Sequence, residues 1–255
     1  MNNRKIIIGN WKMNPRSLKE AEKLFSEIAS GVTSIKKTDI VICVPSPYIR
    51  DLKKLSKKIA LGAQNSFGSD KGPYTGEVSP FMLYEIGVRY VILGHSDRRD
   101  LGEGNDLINK KVRGALSEGL IPILCVGENT REENHEYFNV VKNQLEECLN
   151  GVSKNSLQKV IIAYEPVWAI STTVNHKDAH PTDSEEMSIF IKKVLTDKFG
   201  VKVDLPRIIY GGSVNEKDAL EFLKYGGVDG LLPGRASLTA KKFIQIIKIC
   251  EALNK

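Results

Sequence analysis

A chain of 255 residues, 41% apolar and 27% charged, carries enough apolar side chain for one large buried core, which excludes a disordered or fibrous protein. Its net charge of +6 comes from lysines scattered along helix-like segments rather than massed in an arm, so a solvated surface is expected and no nucleic-acid partner. The first residues, "MNNRKIIIGNWKMN", hold three consecutive isoleucines, too few for a signal-peptide core or a membrane span, and a cytoplasmic location with no membrane partner is expected. Cys43, Cys125, Cys148 and Cys250 form no C-x-x-C pair and read as free buried thiols.

The predicted elements alternate to the end of the chain. A β-branched run from Lys5, "KIIIGN", precedes the helical pattern "SLKEAEKLFSEIA", in which Leu18, Ala21, Leu24, Phe25 and Ile28 line one side. Strand-like runs follow from Asp39 ("DIVICV"), Ile59 ("IALGA") and Arg89 ("RYVILG"), then a helix from Asn105 ("NDLINKKVRGALSEG"). Further runs start at Ile121 ("IPILCVG") and Lys159 ("KVIIAY"), with a helix from Glu186 ("EMSIFIKKVLTDKFG"). The last runs start at Pro206 ("PRIIY") and Val228 ("VDGLL"), before a closing helix from Ala236. Such continuous apolar runs suit strands buried on both faces. Eight of them in this length predict a single α/β domain over residues 1–255, a closed (β/α)8 barrel, with no linker or composition shift to mark a second domain. A doubly wound open sheet is the alternative, but its dinucleotide fingerprint is missing: "LGEGND" at 101–106 follows no strand and lacks the third glycine.

A barrel of this kind carries its site at the C-terminal strand ends. That rule selects Asn10 and Lys12, Gln64 and Asn65, His95, Glu128, Glu165, then Gly211, Gly212 and Ser213, then Gly234 and Arg235. Each has a plainer reading: Lys12 as a surface lysine, His95 as a capping or core histidine, Glu165 as a strand end held extended by Pro166. The glycine-rich turns "YGGSVN" and "PGRAS" each run toward a helix-like segment, where backbone N–H groups suit a phosphate. His176 and His180, with Asp178 and Asp183 nearby, would have zinc-ligand spacing on a helix, but loop polarity and Pro181 favour a solvated insertion.

The strings "GNWKMN", "AQN", "YTGEVS", "GHSDRR", "CVGE", "AYEPVWAI", "YGGSVN" and "ASL" together resemble the triosephosphate isomerase family across essentially the whole chain. The resemblance implies interconversion of dihydroxyacetone phosphate and glyceraldehyde 3-phosphate, the small-molecule partners, without cofactor or metal. It implies that Glu165 is the base, that His95 as neutral imidazole and Lys12 as ammonium stabilise the enediolate, and that Asn10 helps place the substrate. Backbone N–H groups near Ser171, Ser213, Gly234 and Arg235 would grip the phosphate. A lid would start at Pro166, Val167 and Trp168 and run through Ile170, with Tyr164 and Glu128 as alternative partners for the Trp168 indole and Tyr210 and Ser213 as the latch. The loop from Gln64 to Ser79 implies a homodimer, Thr75 lying near Asn10 and Lys12 of the second subunit. Three positions depart from the family: Asp97 for a glutamate, Arg235 for a glycine, and a lid lengthened between Ile170 and Pro181 with Ser171 and Thr173 for glycines. Another phosphate-binding barrel is argued against by "AYEPVWAI" with "GHSDRR", and a degraded scaffold by the retention of Lys12, His95 and Glu165.

Overall fold

The structure, a computed structural model, describes residues 4–131, 135–170, 178–200 and 204–254. Each of the eight apolar runs forms a strand: β1 (Ile6–Asn10), β2 (Asp39–Val44), β3 (Ala60–Ala63), β4 (Tyr90–Leu93), β5 (Ile121–Val126), β6 (Ile161–Tyr164), β7 (Arg207–Tyr210) and β8 (Gly230–Leu231). They pair in chain order, all parallel, and β8 returns to β1, so the sheet closes into a barrel. The runs are apolar throughout because both faces are buried. Ile6, Ile8, Val41, Cys43, Ile92, Ile123, Cys125 and Ile161 pack together inside the barrel, while Ile7, Ile42, Leu124 and Ile162 pack against the helical layer. At the seam between β8 and β1 the backbones come so close that a Cβ on Gly230 would stand 1.9 Å from the Ile6 carbonyl oxygen.

Ten helices surround the strands among the described residues: α1 (Leu18–Gly31), α2 (Ile49–Leu52), α3 (Pro80–Glu85), α4 (Ser96–Arg99), α5 (Asn105–Ser117), α6 (Tyr137–Cys148), α7 (Lys154–Leu157), α8 (Pro181–Phe199), α9 (Ala219–Tyr225) and α10 (Ala240–Leu253). Helix α1 starts where Ser17 Oγ accepts the Glu20 N–H at 3.3 Å, and it buries Ala21, Phe25 and Ile28. Leu18, expected on the same side, sits in the first turn beyond the edge of the core and stays exposed.

Two boundaries differ from the sequence reading. Helix α8 begins at Pro181, not Glu186, because a proline in the first turn lacks only an N–H that has no helical partner anyway. The His180 N–H donates to Asp183 Oδ2 at 2.8 Å, a helix start where a solvated insertion was expected. His176 lies outside the described residues, and among those described no group of acidic, histidine and cysteine side chains could hold a metal ion. The closing helix starts at Ala240, since Arg235–Leu238 forms a separate 3-10 turn.

Phe25 is fully buried and meets Trp11 edge-on, with ring centroids 6.4 Å apart. Phe25→Ala is expected to cost about 3–5 kcal/mol of stability. Guanidinium denaturation checks this through a lower midpoint at unchanged slope.

Candidate active site

The strand ends meet around a cavity of about 690 Å³, lined by Asn10, Lys12, His95, Glu165, Ile170, Ser213, Gly234 and Arg235 among others. Glu165 follows β6, and its N–H donates to the Val126 carbonyl at 2.8 Å, so its backbone continues the ladder with β5. Its buried carboxylate is held from three sides. The Ser96 N–H donates to Oε2 at 3.0 Å, the Ser96 hydroxyl to Oε1 at 3.1 Å, and His95 Nε2 lies 2.9 Å from Oε1.

His95 caps the short helix α4. The Asp97 N–H donates to Nδ1 at 3.1 Å, which assigns the ring proton to Nε2, the nitrogen facing Glu165. Burial and Lys12 pull the imidazole pKa down, while the Glu165 charge, its hydrogen bond and Asp97 push it up; with Glu165 in contact the balance lies above the ordinary histidine value. The turn that presents His95 is braced by Arg99, whose guanidinium donates to the Gly94 carbonyl at 2.8 Å and the Cys125 carbonyl at 3.2 Å.

Lys12 takes a left-handed backbone, φ 50°, which a side chain with a Cβ adopts only when its surroundings hold it. Asn10 Oδ1 accepts the Lys12 N–H at 3.0 Å and Gln64 donates to the Lys12 carbonyl at 2.7 Å, so both peptide groups are fixed by buried or half-buried amides. The ammonium pairs with Asp97 at 3.2 Å; the shorter acid still reaches it, although both groups are exposed enough that the pair stabilises little.

Behind Glu165, the loop ends of β5 and β6 are in backbone contact. A Cβ on Gly127 would stand 1.9 Å from the Glu165 carbonyl oxygen, and Gln144 clamps Gly127 by accepting its N–H at 2.8 Å and donating to its carbonyl at 3.0 Å. Glu128 Oε1 accepts both the Trp168 indole N–H at 2.7 Å and the Tyr164 hydroxyl at 2.9 Å, so Glu128, not Tyr164, receives the indole. Trp168 belongs to a 3-10 turn, Val167–Ala169, whose Val167 N–H donates to the Glu128 carbonyl at 3.0 Å. Pro166 packs against the turn at Gly212, where a Cβ would stand 2.3 Å from the Tyr210 hydroxyl. Among the described residues that buried hydroxyl has no hydrogen-bond partner.

The sequence of a family described as triosephosphate isomerase matches residues 5–250 of this fold. The chain belongs to the triosephosphate isomerase family. It is similar to the triosephosphate isomerase of Thermoanaerobacter sp. (strain X514), 43% identical over 249 residues that span 96% of this chain and 98% of the relative. That of Dictyoglomus thermophilum is 42% identical over 250 residues, 96% and 99% of the two chains. The crystal structure of triosephosphate isomerase from Bartonella henselae superposes with a TM-score of 0.83 at 36% identity, covering 96% of this chain and 98% of that one.

The residues expected from resemblance to the triosephosphate isomerase family separate into three groups. Asn10, Lys12, His95, Glu165, Ile170, Ser213, Gly234 and Arg235 face the cavity; Glu128, Pro166, Val167, Trp168 and Tyr210 form the layer behind it; Thr75 stands apart on the exposed loop after β3. Ser171 lies outside the described residues, as does most of the lengthened lid. The turn after β7 does not run straight into a helix, for α9 begins only at Ala219 after Asp218 has tied down Asn215. Sequence reading passed over Ser96, placed Gln64 at a strand end without giving it a role, and passed over Gly127 and Gln144. The first three sit inside the quoted strings "GHSDRR", "AQN" and "CVGE", whereas Gln144 carries no such signal.

Gly127→Ala is expected to push the end of β6 away from β5 and to lower kcat on the order of 100-fold, the typical result of misplacing a reacting group by about 1 Å. Steady-state kinetics on the folded variant, verified by circular dichroism, checks it.

Proposed function

We propose that Glu165, His95 and Lys12 carry out the reaction of this family, the interconversion of dihydroxyacetone phosphate and glyceraldehyde 3-phosphate, in the cavity they share. The observation that carries the reading is the contact of a buried carboxylate with the N–H of an imidazole whose other nitrogen caps a helix, 2.9 Å apart in a cavity shared with a lysine ammonium. A base next to a hydrogen-bond donor is what proton transfer between adjacent carbons requires, and triosephosphate isomerase is itself the standard example of the pairing.

His95 has one N–H to give toward the cavity. When the substrate carbonyl oxygen takes it, Glu165 Oε1 loses that partner and the carboxylate is released toward the carbon beside the carbonyl. It removes a proton there and returns it to the neighbouring carbon, while negative charge gathers on the two oxygens. Loss of the Glu165 hydrogen bond weakens the main upward influence on the imidazole, so burial and Lys12 favour its neutral form against Asp97. Lys12 stabilises the enediolate charge, helped by a backbone already fixed by Asn10 and Gln64. These groups supply the charge stabilisation the enediolate needs, so the reading calls for no cofactor or metal.

Backbone groups of Ser213, Gly234 and Arg235, with Ser171, hold the phosphate in this reading, and Asn10 orients the reacting end. Pro166, Val167, Trp168 and Ile170 begin a lid that shuts out water, which otherwise promotes loss of phosphate from the intermediate. Glu128 anchors Trp168, and Tyr210 with Ser213 latches the closed form. The segment from residue 171 to 177 lies outside the described residues.

The functional unit is a homodimer. Met13 is 94% exposed and Leu101 76% exposed, and Tyr74, Phe81, Met82, Tyr84 and Ile86, on the loop after β3, on α3 and just past its end, are exposed too, apolar side chains that a second subunit would cover. Thr75 on that loop reaches Asn10 and Lys12 of the second subunit. No helix among the described residues is long and apolar enough to cross a membrane, and a cytoplasmic setting suits the reaction.

Glu165→Gln is expected to lower turnover at least about 100-fold with the fold retained, and wild-type activity is expected to survive a chelator. A coupled isomerase assay measures both; an unchanged rate in Glu165→Gln removes that residue from its role. Light scattering at micromolar concentration is expected to give twice the 28.4 kDa chain mass, and a fully active monomer refutes the dimer.

A further inference from the structure

We infer that Arg131 is a positioning residue for the isomerase site: through the Tyr164 hydroxyl and the Trp168 ring its guanidinium braces the bracket that Glu128 forms around Glu165, and ties that bracket to the first turns of α8. The inference rests on Glu165 being the base.

The bracket is built around Glu165 in sequence and in space. Tyr164 precedes the base and Trp168 follows it, and both donate to the same Glu128 oxygen. The backbone between them is fastened to the same loop at two points, Glu165 N–H to Val126 and Val167 N–H to Glu128. The direction in which Glu165 leaves its strand therefore depends on Glu128 accepting two hydrogen bonds at once. A buried carboxylate does this well only while ionised, and its second oxygen, buried, has no hydrogen-bond partner among the described residues.

Arg131 brings a positive charge to this bracket, adding to the hydrogen bonds that hold the Glu128 carboxyl down. One of its nitrogens lies 3.5 Å from the Tyr164 hydroxyl, itself bonded to Glu128, and the guanidinium stands over the Trp168 ring at 5.8 Å and the Tyr137 ring at 4.8 Å. Its other contacts are to α8, a close ion pair with Glu186 and Asp183 at 3.6 Å. The Arg131 side chain is 16% exposed, while Asp183 and Glu186 stand closer to water, so these pairs hold the guanidinium in place more than they stabilise the fold. One planar cation thus joins the residues on either side of Glu165 to the helix that begins at Pro181, which a lysine point charge cannot do in the same geometry.

The charged and titratable groups that face this pair come from every neighbouring element: Tyr164 from β6, Tyr210 from β7, Tyr137 from α6, and Asp183 and Glu186 from α8. Burial pushes the Glu128 carboxyl up, and the indole, a backbone N–H, the Tyr164 hydroxyl and the Arg131 charge hold it down. Removing Arg131 raises it further, so the protonated form, a poorer double acceptor, persists to higher pH.

The test is steady-state kinetics across pH on Arg131→Met, Arg131→Lys, Glu128→Gln and the double variant Glu128→Gln with Arg131→Met, with Glu165→Gln alongside and folding verified by circular dichroism. Arg131→Met is expected to lower kcat on the order of tenfold, with a smaller effect on KM, and to move the acid limb of kcat to higher pH. Arg131→Lys is expected to keep the acid limb near its original position while recovering only part of the rate, and in the Glu128→Gln background loss of Arg131 is expected to leave the acid limb unmoved. Should Arg131→Met not fold, Arg131→Gln carries the same comparison. The inference is overturned if Arg131→Met stays within about twofold of the parent with its acid limb in place, or if its loss of rate is the same with and without Glu128 and no limb moves. An inactive Glu165→Gln beside a normal Arg131→Met sinks this inference alone, whereas a fully active Glu165→Gln removes the reading beneath it.

Discussion

Lys12 and Gly234 come from opposite ends of the chain, and hydrogen bonding between the last strand and the first sets them side by side. The seam is short: β8 pairs with β1 over Ile6 and Ile7, and fits because Gly230 has no side chain to meet the Ile6 carbonyl. Above it the Asn10 N–H donates to the Pro233 carbonyl at 3.0 Å and the Ser237 hydroxyl to the Asn10 carbonyl at 3.3 Å, carrying the join from the strands into the loops. An open sheet of the same strands would leave the ammonium and the last glycine turn at separate edges. Closure makes one cavity of them.

Within that frame the site divides into parts that are fixed and one that is exchangeable. Gln64 on Lys12, Arg99 on Gly94 and Gln144 on Gly127 are side chains committed to backbone groups of the active loops. Each removes a degree of freedom from a loop that has little regular structure of its own, which is how a scaffold holds reacting groups to within a fraction of an ångström. The contact between His95 and Glu165 is of another kind. It joins two groups that both have a use elsewhere, so the resting bond can be traded for bonds to a substrate without disturbing the backbone beneath.

How much of this was legible depended on whether the signal was local. The strands were, because burial on both faces writes itself as unbroken β-branched runs, and the cavity residues followed once the strand ends were known. Ser96 and Gln64 lay in view beside His95 and Asn65, but their partners are 69 residues away for Ser96 and 52 for Gln64, and nothing local announces them. Gln144 and Arg131 were illegible for a different reason. A glutamine on a mostly amphipathic helix and an arginine in a polar stretch look solvated, and only the fold shows that both point inward. Pro181 misled because proline both ends and begins helices, and its position relative to the Asp183 cap decides which.

The four cysteines, all buried and unpaired, give the molecule a built-in record of its own opening. Burial pushes the thiols of Cys148 and Cys250 up to about 11 and that of Cys43 higher still, so at neutral pH they are protonated as well as out of reach. They divide by layer: Cys43 and Cys125 belong to the barrel interior, Cys148 and Cys250 to the packing between strands and helices. A thiol reagent therefore reaches the second pair when a helix lifts and the first only when the staves themselves part. The order in which the four become modified reports whether this barrel comes undone from its outer layer inward or all at once.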